Sequence, residues 1–165
     1  MDCKGGEMLP FWLTALVTLV LDQASKELVQ RLMWEGQSVP VIPYVFHLTY
    51  IRNPGAAFGL FAYRTGFFIA VTLLVVAGAL VAALRLSPGR RMLRLSLGLV
   101  MGGALGNLID RVRFGLVVDF LDFRVWPVFN LADMAIVIGA FLLVFAVWRE
   151  DRERERERMG PGAEN

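Results

Sequence analysis

The chain has little of several residue types, and each shortage removes a class of chemistry. Cys3 is its only cysteine and His47 its only histidine. A disulfide within the chain is thereby excluded, and a zinc site built from Cys and His is nearly so. Lysine occurs only at Lys4 and Lys26. The formal net charge of +2 is small and its positive residues are scattered, without a basic stripe interleaved with stacking aromatics. Nucleic acid is therefore not an expected partner. Any hydrolytic chemistry must come from carboxylates, hydroxyls or a lysine.

What the chain has instead is apolar surface. It is 56% hydrophobic over 165 residues, with a mean hydropathy of +0.56. That length suits a single domain, and that hydrophobicity suits a multi-pass membrane protein. Met8 to Leu21 is an uncharged run ending at Asp22. Following Lys4, it has the outline of a cleavable signal peptide, but DQASKELV offers no small-x-small cleavage site. A retained first transmembrane helix over about 8–29 is expected. Asp22 and Lys26 lie four apart on one helical face, acid first, the favourable order for an ion pair. Two readings stay open: a helix-end pair with Lys26 snorkelling to the interface, or part of a binding site.

Residues 30–64 hold no long apolar run. QSVPVIPYVFHLTYIRN is rich in β-branched and aromatic residues and broken by Pro40 and Pro43, the mark of short strands. His47 falls there and is expected to be structural. NPGAAFG (53–59) reads as a turn followed by small residues. A second helix is expected over 65–84, where the run is long enough to span a bilayer. A third is expected over 93–111, with Gly98, Gly102 and Gly106 forming a small-xxx-small packing face and Asn107 and Asp110 on one side of its end. VVDFLDFRV again alternates like a strand. A fourth helix is expected over 131–148, where Asn130 can cap and Asp133 occupies the first turn, both of which capping alone would explain. The domain thus covers 1–150. Residues 151–165, with RERERER at 152–158, form a charged tail, either a solvated helix or a disordered end.

Three of the four apolar runs are too short to span hydrocarbon unless each helix continues through an acid, namely Asp22, Asp110 or Asp133. The segments placed inside carry 10 of the 17 Lys and Arg, a modest bias that puts both termini in the cytoplasm. In that topology the acids, the NPGAAFG turn and VVDF all meet towards the outer face. Carboxylates beside apolar helices are costly and hence functional candidates. Two close carboxyls share one proton near neutral pH, so that one acts as acid and the other as base. Such a pair can activate water against a peptide carbonyl without a covalent intermediate. Ser25 and Lys26, adjacent on a helix, point in different directions and make a weak rival pair. A proton- or ion-conducting protein would scatter its acids across membrane depth, and an assembly subunit would explain the glycines but not the acids.

Five blocks in order, DQASK (22–26), RNPGAAFG (52–59), GNLIDR (106–111), VVDF (117–120) and FNLAD (129–133), resemble lipoprotein signal peptidase, or signal peptidase II, of bacterial inner membranes. The resemblance spans nearly the whole chain. It implies an aspartyl intramembrane endopeptidase that removes signal peptides from prolipoproteins, cutting before the cysteine that carries a diacylglyceryl group. It implies an all-α membrane fold of four transmembrane helices with a small extracytoplasmic β-sheet cradle. It also implies sensitivity to the cyclic peptide globomycin. Asp119 and Asp133 match the catalytic dyad. Asn53, Gly55, Asn107, Asp110, Arg111 and Asn130 match residues that shape the site or hold substrate, and Asp22 and Lys26 match a site-supporting motif. No cofactor or metal is expected, and the partners are lipidated prolipoproteins and membrane lipids, with the chain a monomer. Asp110, beside Arg111, is expected to be ionised and structural, and Asp122 to face solvent.

Overall fold

A computed structural model describes residues 3–55 and 64–159. In chain order these form α1 (Cys3–Leu32), β1 (Ser38–Ile42), β2 (Phe46–Asn53), α2 (Thr65–Arg85), α3 (Arg91–Phe114), β3 (Val117–Asp122) and α4 (Leu131–Met159). Each of the four helices is long and apolar enough to cross a membrane. They cross together as a bundle around α3, whose surface is mostly buried by the other three. Large apolar side chains such as Leu13, Val17, Leu74, Phe141 and Val144 point outward. In water they would form an extended sticky surface, whereas in hydrocarbon they match the solvent.

Where neighbouring helices are equally at home in lipid, close packing decides which faces meet. A β-carbon at Gly98 would fall 2.7 Å from the Phe11 carbonyl oxygen, and one at Gly102 would fall 2.7 Å from Thr18 Cβ. Gly106 lies directly against the Asp22 carboxylate. The glycine face expected from the sequence is thus the α1–α3 seam. A second seam was not anticipated. Gly103 on α3 abuts Ala132 and Ile136, and Gly139 on α4 abuts Ser96 and Leu99. Consecutive Gly102 and Gly103 therefore serve opposite neighbours, which the four-residue spacing alone could not indicate.

The helices overrun the expected limits at several ends. The helix α1 begins before Met8 and includes Pro10. Glu7 in that extension accepts from the Arg94 guanidinium and the Gly89 amide, joining the start of α1 to the α2–α3 turn. The helix α4 runs on through the RERERER segment instead of stopping at 148. Arg and Glu are good helix formers, and Arg149–Glu153 and Arg90–Glu150 ion pairs support this extension. At the other end, α1, α3 and α4 each contain their acid, as the short apolar runs required.

The strands form one antiparallel sheet in the order β1-β2-β3. Ile51 faces Asp119 and Asn53 faces Val117, with a bulge between Leu48 and Ile51. Val29, Tyr50, Val118 and Phe120 make a small core joining the sheet to the end of α1. The sheet therefore sits over the acid-bearing end of the bundle.

Candidate active site

Two chain reversals deliver the acids to one place. At the end of α3, Gly115 adopts φ +75°, a left-handed cap that donates its N–H to Arg111 O at 3.0 Å. The chain turns back there, so β3 lies against the helix it has just left. Beyond β3, Phe129 pairs with Leu121 through two backbone hydrogen bonds, N–H to O and O to N–H, at 3.1 and 2.8 Å. That bridge sets Asn130 beside Asp119. Asn130 then opens α4 as a reciprocal cap: its Oδ1 accepts the Asp133 N–H at 2.9 Å, and its own N–H donates to Asp133 Oδ2 at 3.3 Å. Capping and site-building are here one arrangement.

Three asparagines grip the two carboxylates. Asn130 Nδ2 donates to Asp119 Oδ1 at 2.6 Å, and Asn53 Nδ2 donates to Asp119 Oδ2 at 2.9 Å. Asn107 Nδ2 donates to Asp133 Oδ1 at 2.8 Å. Asn107 Oδ1 faces the Lys26 ammonium at 2.9 Å, which can only donate, so the amide must present its NH2 to Asp133. The Asn53 amide is fixed likewise by the Gly55 N–H on its oxygen.

Asp119 and Asp133 both line a cavity of about 250 Å³, together with Asn53, Gly55, Asn107 and Arg111. Trp126 and Phe129, which also line it, continue into an apolar groove of about 470 Å³ walled by Phe123, Met134, Val137 and Ile138, with Asp133 at the junction. Burial, reinforced by the Asp133 charge, pushes the Asp119 carboxyl up to about 7, against the opposing pull of the Asn53 and Asn130 hydrogen bonds. Asp133 sits in the first turn of α4, where the helix N-terminus favours negative charge. Near neutral pH the Asp119 carboxyl can therefore hold a proton.

The other expected site residues fall into two groups. Arg111 enters the cavity with its guanidinium 4.9 Å from the Phe68 ring centroid, a cation–π contact. Asp22, Lys26 and Asp110 lie one layer beneath the cavity, all almost wholly buried. Lys26 does not snorkel: it bonds both Asp22 Oδ2 and Asp110 Oδ2 at 2.9 Å. Asp110 is paired with that lysine, not with its sequence neighbour Arg111. Residues 56–59 of the NPGAAFG turn lie outside the described residues.

One expectation is overturned. Asp122 does not face solvent but is only 4% exposed. Burial pushes its carboxyl up, but hydrogen bonds from Thr49, the Arg124 N–H and the Arg124 guanidinium outweigh this and hold it below the ordinary range. Strand alternation puts Asp119 and Asp122 on opposite faces of β3, and Thr49 and Arg124 cover the second face. His47 shares that covered region, bonded to Ser38 Oγ at 3.1 Å. Ser25 turns its hydroxyl back to Asp22 O, away from the Lys26 ammonium, so the two form no nucleophile–base pair. Sequence reasoning missed Gln23, which bonds Asp22, Asp110 and the Gly106 carbonyl. It also missed Phe68 and the Trp126–Phe129 wall. The WPVF run before Asn130 was a usable signal for the wall, and nothing local marked Phe68.

Four membrane-length helices with carboxylates gathered at one end define a multi-pass membrane protein with an acid-based site. Residues 14–149 match the family described as Signal peptidase (SPase) II, peptidase family A8. The chain belongs to that family and is a membrane peptidase of the aspartic type. It is 57% identical to a lipoprotein signal peptidase of Pelotomaculum thermopropionicum over 143 residues, covering 86% of this chain and 94% of that one. It is 55% identical to the lipoprotein signal peptidase of Moorella thermoacetica over 149 residues, covering 90% and 99%. A bacterial membrane enzyme solved by the in meso method superposes with a TM-score of 0.81 at 32% identity, covering 88% of this chain and 90% of that one.

Proposed function

We propose that this peptidase removes signal peptides from diacylglyceryl-modified prolipoproteins, cutting before the lipidated cysteine, with Asp119 and Asp133 as its catalytic dyad. The observation that carries this reading is the pair itself: two carboxylates from separate elements, facing one cavity, with burial raising the Asp119 carboxyl to about 7. Protonated Asp119 donates to the scissile carbonyl oxygen while the Asp133 carboxylate takes a proton from water. The water oxygen bonds to the carbonyl carbon, and the Asp119 proton passes to the carbonyl oxygen, giving a gem-diol. Collapse returns a hydroxyl proton to Asp119, and Asp133 delivers its proton to the leaving nitrogen. Both carboxyls end as they began, and no covalent intermediate forms.

The surroundings suit such a substrate. The apolar groove beside Asp133 offers a path for acyl or signal-peptide side chains, and Arg111 and the asparagines offer polar contacts to the backbone near the cut. A substrate anchored by lipid reaches the site from the bilayer. The reading accordingly sets the site at the outer face of the bacterial inner membrane, both termini in the cytoplasm, with globomycin as an inhibitor. A gel-shift assay tests it. Purified protein in detergent receives a diacylglyceryl-modified prolipoprotein or its unlipidated precursor, with and without globomycin. Cleavage of the lipidated form alone, blocked by globomycin, is the expected result, and no cleavage by a folded sample would overturn the assignment.

A further inference from the structure

We propose that Asp22, Lys26 and Asp110 form a buried positioning frame, in which Asp22 and Asp110 each hold the backbone amide next to one dyad aspartate and Lys26 ties the two anchors together. The proposal rests on the dyad reading above. Its basis is a set of six connected hydrogen bonds and ion pairs. Asp22 Oδ1 accepts the Ala132 N–H at 2.9 Å, and Ala132 immediately precedes Asp133. Asp110 Oδ2 accepts the Val118 N–H at 3.2 Å, and Val118 immediately precedes Asp119. Lys26 Nζ joins the two carboxylates, and its third bond goes to Asn107 Oδ1, whose NH2 holds Asp133. All three protons of the ammonium are used, and all three point towards the dyad's supports.

A helix-end ion pair needs none of this. Burying an ammonium and two carboxylates is costly, and apolar residues of similar volume often stabilise a fold as well or better. What charged groups supply here is direction. The Ala132 amide is one of the orphan donors at the start of α4, which have no intrahelical backbone partner. Capping it from α1 fixes where the first turn of α4 lies relative to α1. The Val118 amide, bonded from α3, fixes β3 in the same way. Gly106 permits the frame, since a β-carbon there would collide with the Asp22 carboxylate. Gln23 Nε2 bridges Asp22 and Asp110 from the remaining side, at 3.2 and 3.1 Å. The separation of the two carboxyls, already constrained by Asn130 and the Leu121–Phe129 bridge, is thus further fixed by three side chains beneath them. Lys26 is also felt electrostatically at Asp119, where its charge opposes the rise caused by burial.

Asp110 allows the cleanest test, because replacing it leaves Asp22 and Lys26 as a neutral pair. Asp110→Asn keeps an acceptor for the Val118 amide, and Asp110→Ala removes it. Both would be assayed in detergent on the lipidated prolipoprotein for kcat and KM, with thermal unfolding measured on the same samples. The frame predicts that Asp110→Ala lowers kcat at least 100-fold with KM within threefold, and that Asp110→Asn recovers at least tenfold of that loss. Equal loss in both folded variants, or a loss that falls on KM, would overturn it. Should Asp110→Ala fail to fold, amide exchange at Val118 in Asp110→Asn decides: the frame requires slow exchange wherever activity is kept. Exchange accelerated more than tenfold with full activity would overturn it. Asp119→Asn and Asp133→Asn run alongside as a control on the parent reading. Activity in those two removes the dyad itself, whereas their inactivity with unaffected Asp110→Ala removes only the frame.

Discussion

The same residue types do different work at neighbouring positions, and their surroundings decide which. Asp119 and Asp122 are three apart on β3 and both are buried, yet one is pushed up to about 7 and the other is held below the ordinary range. Asp119 faces a second carboxylate and, among the described residues, receives hydrogen bonds from the Asn53 and Asn130 amides, whereas Asp122 receives a guanidinium. Asp119→Asn and Asp133→Asn are each expected to lower kcat by about 1,000-fold or more while unfolding within a few degrees of the parent protein, measured by prolipoprotein processing and thermal melts. The raised Asp119 carboxyl also links stability to pH. The folded chain binds this proton more tightly than the unfolded chain. Its contribution is therefore fully present below the unfolded value near 4 and lost as pH rises through about 7. The melting temperature should fall across that window, and Asp119→Asn should flatten the fall. An unchanged slope in the variant would assign the titration elsewhere.

Helix packing depends on where side chains are missing. Gly98, Gly102 and Gly106 admit α1, while Gly103 and Gly139 close the α3–α4 seam. Gly102→Leu should cost about 1–3 kcal/mol through overpacking, lowering the melting temperature and the yield of folded protein in detergent. Normal thermal stability would show that the seam can give. The first seam was legible in the sequence because its period of four falls on one helical face. The second was not, because Gly103 and Gly139 belong to different elements and no period within one helix relates them. Strands were legible from their β-branched alternation, but the bulge at Leu48–Ile51 and the Phe129 bridge were not. Both depend on partners distant in sequence.

For the whole molecule, the two ends of the bundle are built differently. One end carries the sheet and the Asp119–Asp133 pair proposed as the dyad. The other is closed by Arg94, 3% exposed, which bonds Glu7 and the Leu86 and Ser87 carbonyls. Glu7→Gln should cost about 1.5–3 kcal/mol, the range for a hydrogen bond to a charged group, while leaving kcat within about twofold, since the dyad lies at the opposite end. A tenfold fall in kcat at full folding would mean that the ends are coupled. Asp119 was marked out by the family resemblance, whereas the membrane class, the number of helices and three of the acids, Asp22, Asp110 and Asp133, followed from composition and run length. Those properties depend only on what each segment is made of, and hydrocarbon imposes the same demand on every segment. Tertiary structure alone decided the partners of the charges. Asp110 pairs with Lys26 rather than Arg111, Asp122 is covered, and Ala132 is capped from another helix. Such pairings join residues of up to 110 positions apart in the chain, and in a low-dielectric interior their energy depends on ångström-scale approach that no local pattern records.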